Sequence, residues 1–138
     1  MLIILAFLPS SSFAGDFEWL DNLSVTARAD SSGYRLRLVT RFHIGDAEVK
    51  AVIGNVGDPS DAYMVFRLSE LSHQPVNLVL KQYHANRGKG WGVIARRLGI
   101  RPGSKEFKLL KTGHDLGDDM NEGHGHHHEG HGMGKHKG

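Results

Sequence analysis

YRLRLVTRFHI, Tyr34 to Ile44, alternates almost strictly between two kinds of residue. Tyr34, Leu36, Leu38, Thr40, Phe42 and Ile44 fall on one side of an extended chain, and Arg35, Arg37, Val39, Arg41 and His43 on the other. Successive side chains of a strand point to opposite faces, so this period of two predicts a half-buried strand. Upstream, LSVTARA sets Leu23, Val25, Ala27 and Ala29 on one face, and Asp30-Ser-Ser-Gly33 reads as the hairpin turn between the two strands. Downstream, Ile44-Gly45-Asp46 offers a second tight turn into AEVKAVI, Ala47 to Ile53. The apolar face of such a meander needs a cover.

The cover is expected to be helical, because the periodicity changes after the breaker stretch Gly54 to Pro59. Ser60 or Asp61 can cap a helix to about Leu71, with Met64, Leu68 and Leu71 on one face. Pro75 suits the first turn of a second, whose stripe is Val76, Val79, Leu80 and Tyr83 and which ends near Asn86-Arg-Gly88. Trp91, Ile94, Ala95 and Leu98 mark a third that stops at Gly99, and Ser104 caps a fourth with Phe107 and Leu110 inward. The expected fold is therefore α+β: a three-stranded antiparallel β-meander over residues 16–56, a compact group of about four short helices over 60–112 forming one domain with it, and a disordered tail over 113–138. At 138 residues there is room for one domain only.

The first residues, MLIILAFLPSSSFAG, carry an apolar run from Leu2 to Leu8 before small residues at Ser12 and Ala14. This reads as a secretory signal peptide over residues 1–14, cut after Ala14, and implies a periplasmic or secreted protein. A buried core segment is the alternative; a transmembrane anchor needs about 20 apolar residues, which the run does not reach. Cysteine is absent, which excludes disulfides, thiolate metal sites and a cysteine nucleophile.

The net charge of +2 conceals an uneven distribution. Between Lys81 and Lys111 stand Lys81, Arg87, Lys89, Arg96, Arg97, Arg101, Lys105, Lys108 and Lys111 against one acid, Glu106. The first eight of these are candidates for a surface that meets an anionic partner outside the cytoplasm, such as phospholipid headgroups, lipopolysaccharide or an acidic protein, with a solvated helix face as the plain alternative. From His114 onward the balance turns acidic, with Asp115, Asp118, Asp119, Glu122 and Glu129 against Lys135 and Lys137.

The segment Ala85 to Lys111 holds Gly90, Trp91, Gly92, Ile94, Ala95, Leu98, Gly99 and Ile100, followed by Pro102, Gly103, Ser104, Glu106 and Phe107. It resembles a helical segment of small, uncharacterised exported bacterial proteins with a GWGxIAxxLGI core, a PGSxEF helix start and a C-terminal tail rich in His and Gly. The resemblance implies export and a noncatalytic role, and no activity. VIARRLGI also has the small residue and the glycine of a helix-turn-helix, but the recognition helix would then bury Lys105 and Lys108. The Arg101-Pro-Gly segment puts the spacing off, so nucleic-acid binding is the third-ranked reading. Gly88-Lys-Gly-Trp-Gly92 has neither P-loop nor dinucleotide spacing and reads as a joint between helices. No Ser-His-Asp or paired-carboxylate arrangement stands out, and the chain is read as nonenzymatic.

The end of the chain is chemically denser. His114, His124, His126, His127, His128, His131 and His136 place seven of ten histidines in the last stretch, interleaved with glycine. Neutral imidazole is a ligand for Zn, Ni, Cu(II) and Co, and glycine lets a short chain fold around an ion. His43, His73 and His84 stand alone, as surface or cap residues. The leading expectation is a small exported binding protein whose tail buffers divalent transition metal and whose basic helical body meets an unknown partner. An interaction module for anionic surfaces or proteins of the cell envelope is the alternative.

Overall fold

The computed structural model describes residues 14–117. Most of the expected signal peptide and most of the expected histidine tail lie outside the described residues. A 3-10 turn, Ala14–Phe17, leads into seven α-helices: α1 Trp19–Ala29, α2 Ser31–Phe42, α3 Asp46–Asn55, α4 Pro59–Ser72, α5 Val76–Ala85, α6 Trp91–Arg97 and α7 Lys105–Lys111. No strand occurs among them, so the fold is all-helical, and the expected α+β meander over residues 16–56 is corrected to three helices.

The reason lies in the arithmetic of the two periods. Residues four apart share a face in a strand and, nearly, in a helix, so Tyr34, Leu38 and Phe42 satisfy both patterns. Residues two apart separate them. Leu36 would join Leu38 on the buried face of a strand, yet it is 64% exposed while Leu38 is 0% exposed. Helix α1 repeats the lesson: Leu20, Leu23, Ser24 and Ala27 are buried at helical spacing, and Val25 is left outside. Asp30-Ser-Ser-Gly33 is a helix start instead of a hairpin turn, since the Asp30 carboxylate accepts the Gly33 N–H at 2.9 Å. The β-branched Thr26 and Thr40 are accommodated by donating to the carbonyls four residues back, Asn22 and Leu36, each at 2.9 Å. Asp46 and Glu48 lie in the first turn of α3, where the helix dipole favours acids, and Val49 and Val52 turn inward.

Helix α4 is the centre of the molecule. Ser60, Ala62, Tyr63, Met64, Val65, Phe66 and Leu68 are all buried, the pattern of a helix covered on every side. Helices α1, α3, α5 and α7 pack on it, α2 bridges α1 and α3, and α6 rests on α5. Where α1 crosses α4 the two small residues Ser24 and Ser60 meet through their hydroxyls at 2.6 Å, both buried. Tyr34 ties α2 to the same helix by donating to the Pro59 carbonyl at 2.6 Å.

The second half of the chain holds helices where the periodicity places them. Helix α4 begins slightly earlier than expected, with Asp58 as N-cap, Pro59 in the first turn and the Asp61 carboxylate accepting the Asp58 N–H at 3.4 Å. Ser104 caps α7 by accepting the Phe107 N–H at 3.1 Å, and Phe107 and Leu110 are buried. His43 and His73 are C-caps in the left-handed region, at φ 54° and 57°. None of the described helices is long and apolar enough to cross a membrane.

Candidate functional site

Three neighbouring features carry chemistry. The first is the basic run. Helix α6 turns Gly92, Ile94 and Ala95 inward and α7 turns Phe107 and Leu110 inward, which leaves Arg96, Arg97, Lys105 and Lys108 facing water. Lys81 on α5, Arg87 and Lys89 in the link before α6, and Arg101 in the link after it are exposed as well. None of these eight forms an ion pair among the described residues.

The contrast with the first half is sharp. There Arg28 pairs with Asp58, Arg35 with Asp46 at 2.6 Å, Lys50 with Asp46 at 3.2 Å, Arg67 with Glu70 at 2.8 Å, and Arg41 with Glu70 at 3.0 Å and Asp115 at 2.7 Å. Acids thus neutralise the cations of α1 to α4 locally except Arg37, which donates to the Gly117 carbonyl at 3.3 Å, while the positive charge of α5 to α7 is open to solvent, apart from Lys111, which approaches Asp16 at 3.9 Å. As for a helix-turn-helix, α6 ends at Arg97 and α7 begins at Lys105, a longer link than the roughly 3–4-residue turn of that motif. Ile100 within the link is buried and its N–H returns to the Ala95 carbonyl at 2.9 Å.

The second feature is a cleft of about 390 Å³ between the start of α4, the end of α5 and the start of α6. On its wall the Tyr83 hydroxyl accepts the Gly57 N–H at 2.9 Å and donates to the Asp61 carboxylate at 2.8 Å. Burial pushes the Asp61 carboxyl above its usual range, although the Tyr83 hydrogen bond and the Arg87 charge oppose this. Burial also raises the Tyr83 phenol, and the neighbouring Asp61 adds to the rise. Trp91 lies nearly parallel to Tyr83, 28° between planes and 5.5 Å between centroids, and is half-buried. Gly57 lets the Arg87 guanidinium close in, since a Cβ there would stand 3.2 Å from its Nη2. Sequence reasoning sees Arg87 as part of a charge run and Tyr83 and Trp91 as apolar stripe; nothing in their spacing announces the cleft, which forms only when α4 and α6 meet on either side of α5. Gly88 and Gly90, read as a joint, do take positive φ values of 82° and 90°.

The third feature is the segment 113–117, which composition assigns to the tail and which packs on the body. Leu116 is 3% exposed. Asp115 accepts from Arg41 at 2.8 Å and from the Tyr63 hydroxyl at 3.0 Å, and Arg67 stands 3.7 Å away. Burial alone would raise the Asp115 carboxyl, but the Arg41 and Tyr63 hydrogen bonds outweigh it and hold it below the ordinary range. His114 rests against the Trp19 and Tyr63 rings, 6.1 and 6.2 Å between centroids. Of the seven histidines proposed as metal ligands it alone is described; His124, His126, His127, His128, His131 and His136 lie outside the described residues. Among the described residues no three His, Asp or Glu side chains gather into a metal-holding group.

Comparison with protein-family models, curated proteins and solved structures finds no match to this chain.

Proposed function

We propose that the chain is a nonenzymatic binding protein of the cell envelope that docks on an anionic surface through α5, α6, α7 and their links. The observation that carries this reading is the set of eight exposed cations, Lys81 through Lys108, without an ion pair among the described residues, whose other cations are mostly paired. Uncompensated surface charge produces a field that attracts anions over about a Debye length, roughly 10 Å at 0.1 M salt. Cosedimentation with vesicles of anionic phospholipid, against vesicles of neutral phospholipid, tests it. Binding to the anionic vesicles alone, weakened by salt and by the pair Arg96→Glu and Arg97→Glu, is expected; equal binding to both vesicles, or indifference to salt, overturns it.

A second reading concerns the tail. The seven histidines from His114 to His136 favour capture of a divalent transition metal such as Zn, Ni, Cu or Co. Because imidazole must be neutral to ligate, uptake should fall below about pH 6. Calorimetric titration of the full chain against one ending at Gly117 separates tail binding from binding by the body; equal uptake by the two chains removes the tail from consideration.

A further inference from the structure

The cleft beside Tyr83 has the attributes of a small-molecule site. Its volume of about 390 Å³ falls within the roughly 300–1,000 Å³ typical of ligand pockets, at the lower end, where one ring and one charged group fit. Its walls combine an aromatic face, an aliphatic side chain and polar groups: Trp91, Ile94, Arg87 and Asp61. The charges decide which ligand suits it. Both carboxylates are already engaged, Asp58 by Arg28 and Asp61 by Tyr83 and the Asp58 N–H, so a cation would have to displace existing partners. The Arg87 charge bears on Asp61 at longer range, but its guanidinium donates no hydrogen bond and forms no ion pair among the described residues, and the Trp91 indole N–H is likewise without a hydrogen bond among them. The donors left open therefore match an anion, and the open surface beside them matches a flat ring.

We infer that this cleft binds a small planar anion, a ring bearing a carboxylate or phosphate, with the ring against Trp91 and Ile94 and the anionic group on the Arg87 guanidinium. An arginine fork meets either oxyanion with two parallel N–H donors, which a lysine cannot reproduce. The wall is set in advance: Tyr83 holds Trp91 by stacking and is itself fixed at its hydroxyl by Gly57 and Asp61. Fixing the wall before the ligand arrives reduces the entropy lost on binding. Of the eight cations of the docking surface proposed above, this site uses only Arg87.

The chain has two tryptophans, so Trp19→Phe leaves Trp91 as the sole indole reporter. Titration with adenosine monophosphate and with benzoate should quench its fluorescence saturably, while adenosine and inorganic phosphate, each half of the chemistry alone, act at least about tenfold more weakly. Arg87→Ala should weaken the effective probe about tenfold or more, as loss of a charged hydrogen bond does. Arg96→Glu with Arg97→Glu should leave it unchanged, which separates this site from the docking surface. Calorimetry on the unaltered chain reads the same binding without Trp19→Phe. Absence of saturable binding by both anions, binding that survives Arg87→Ala, or phosphate alone binding as well as adenosine monophosphate overturns the inference.

Discussion

Ser24 and Ser60 meet hydroxyl to hydroxyl at 2.6 Å in the buried crossing of α1 and α4. The energetics of such a pair are asymmetric. Removing one hydroxyl leaves its partner desolvated and unsatisfied, which costs about 1–3 kcal/mol, whereas removing both leaves nothing to satisfy. Ser24→Ala and Ser60→Ala should each destabilise by about 1 kcal/mol or more, and the double variant by less than their sum; denaturant melts in a double-mutant cycle measure this, and strict additivity would show that the two hydroxyls are not coupled. Single residues also set the helix ends. His43 and His73 hold a left-handed conformation that favours glycine, so His73→Gly should raise the unfolding free energy by up to about 1 kcal/mol, read from the same melts.

Helix α2 is the element on which strand and helix readings part. A strand would make Leu36 and Leu38 equivalent, since both stand on one face, but the helix puts Leu38 in the core and Leu36 in water. Leu38→Ala should cost about 2–5 kcal/mol and Leu36→Lys within about 0.5 kcal/mol; similar losses at both positions would argue for the extended form. The second half of the chain was legible because breakers isolate each helix: Pro59, Pro75, the Gly88 to Gly90 loop and the Pro102-Gly103 turn mark its boundaries, and Ser104 marks a cap. The first half has its breaks at Asp30-Ser-Ser-Gly33 and Ile44-Gly45-Asp46, but they serve a hairpin turn as well as a helix end, for no proline stands between Pro9 and Pro59, and the apolar residues Tyr34, Leu38 and Phe42 sit at spacings that both periods accept. The signal that could have decided it is Asp30 three residues before Gly33, a side-chain cap, together with Leu20, Leu23 and Ala27 at helical spacing. The basic run was legible as charge; that its members are exposed and unpaired depends on where the acids of α3 and α4 point, which composition does not contain.

At the scale of the whole molecule, the chain runs from α7 back across α4 before the histidine-rich sequence begins, and this return carries a consequence for any experiment on the tail. Leu116 fills a site at the edge of the core, while Asp115 ties Arg41 of α2, and at longer range Arg67, to Tyr63 of α4. A chain ending at Thr112 loses all of these, so it should be less stable than one ending at Gly117 by about 2–5 kcal/mol, the range for removing a buried leucine side chain. The Asp115 share of that difference has a predictable pH dependence. Its carboxyl sits below the ordinary aspartate value of 3.8 in the folded state, so the unfolded chain binds the proton more readily. The ionised contact therefore stabilises the fold above that value, and the contribution is lost as pH falls through the folded one. Thermal unfolding of the two chains, followed by circular dichroism at neutral pH and again below the ordinary aspartate value, should show a gap that narrows on acidification without closing, because Leu116 packs at every pH. A gap that is absent at neutral pH would mean that 113–117 contributes nothing to stability; a gap that widens in acid would mean that Asp115 is not held by Arg41. Because the return is part of the fold, it is the chain ending at Gly117, and not the one ending at Thr112, that isolates the tail's own chemistry in a metal titration.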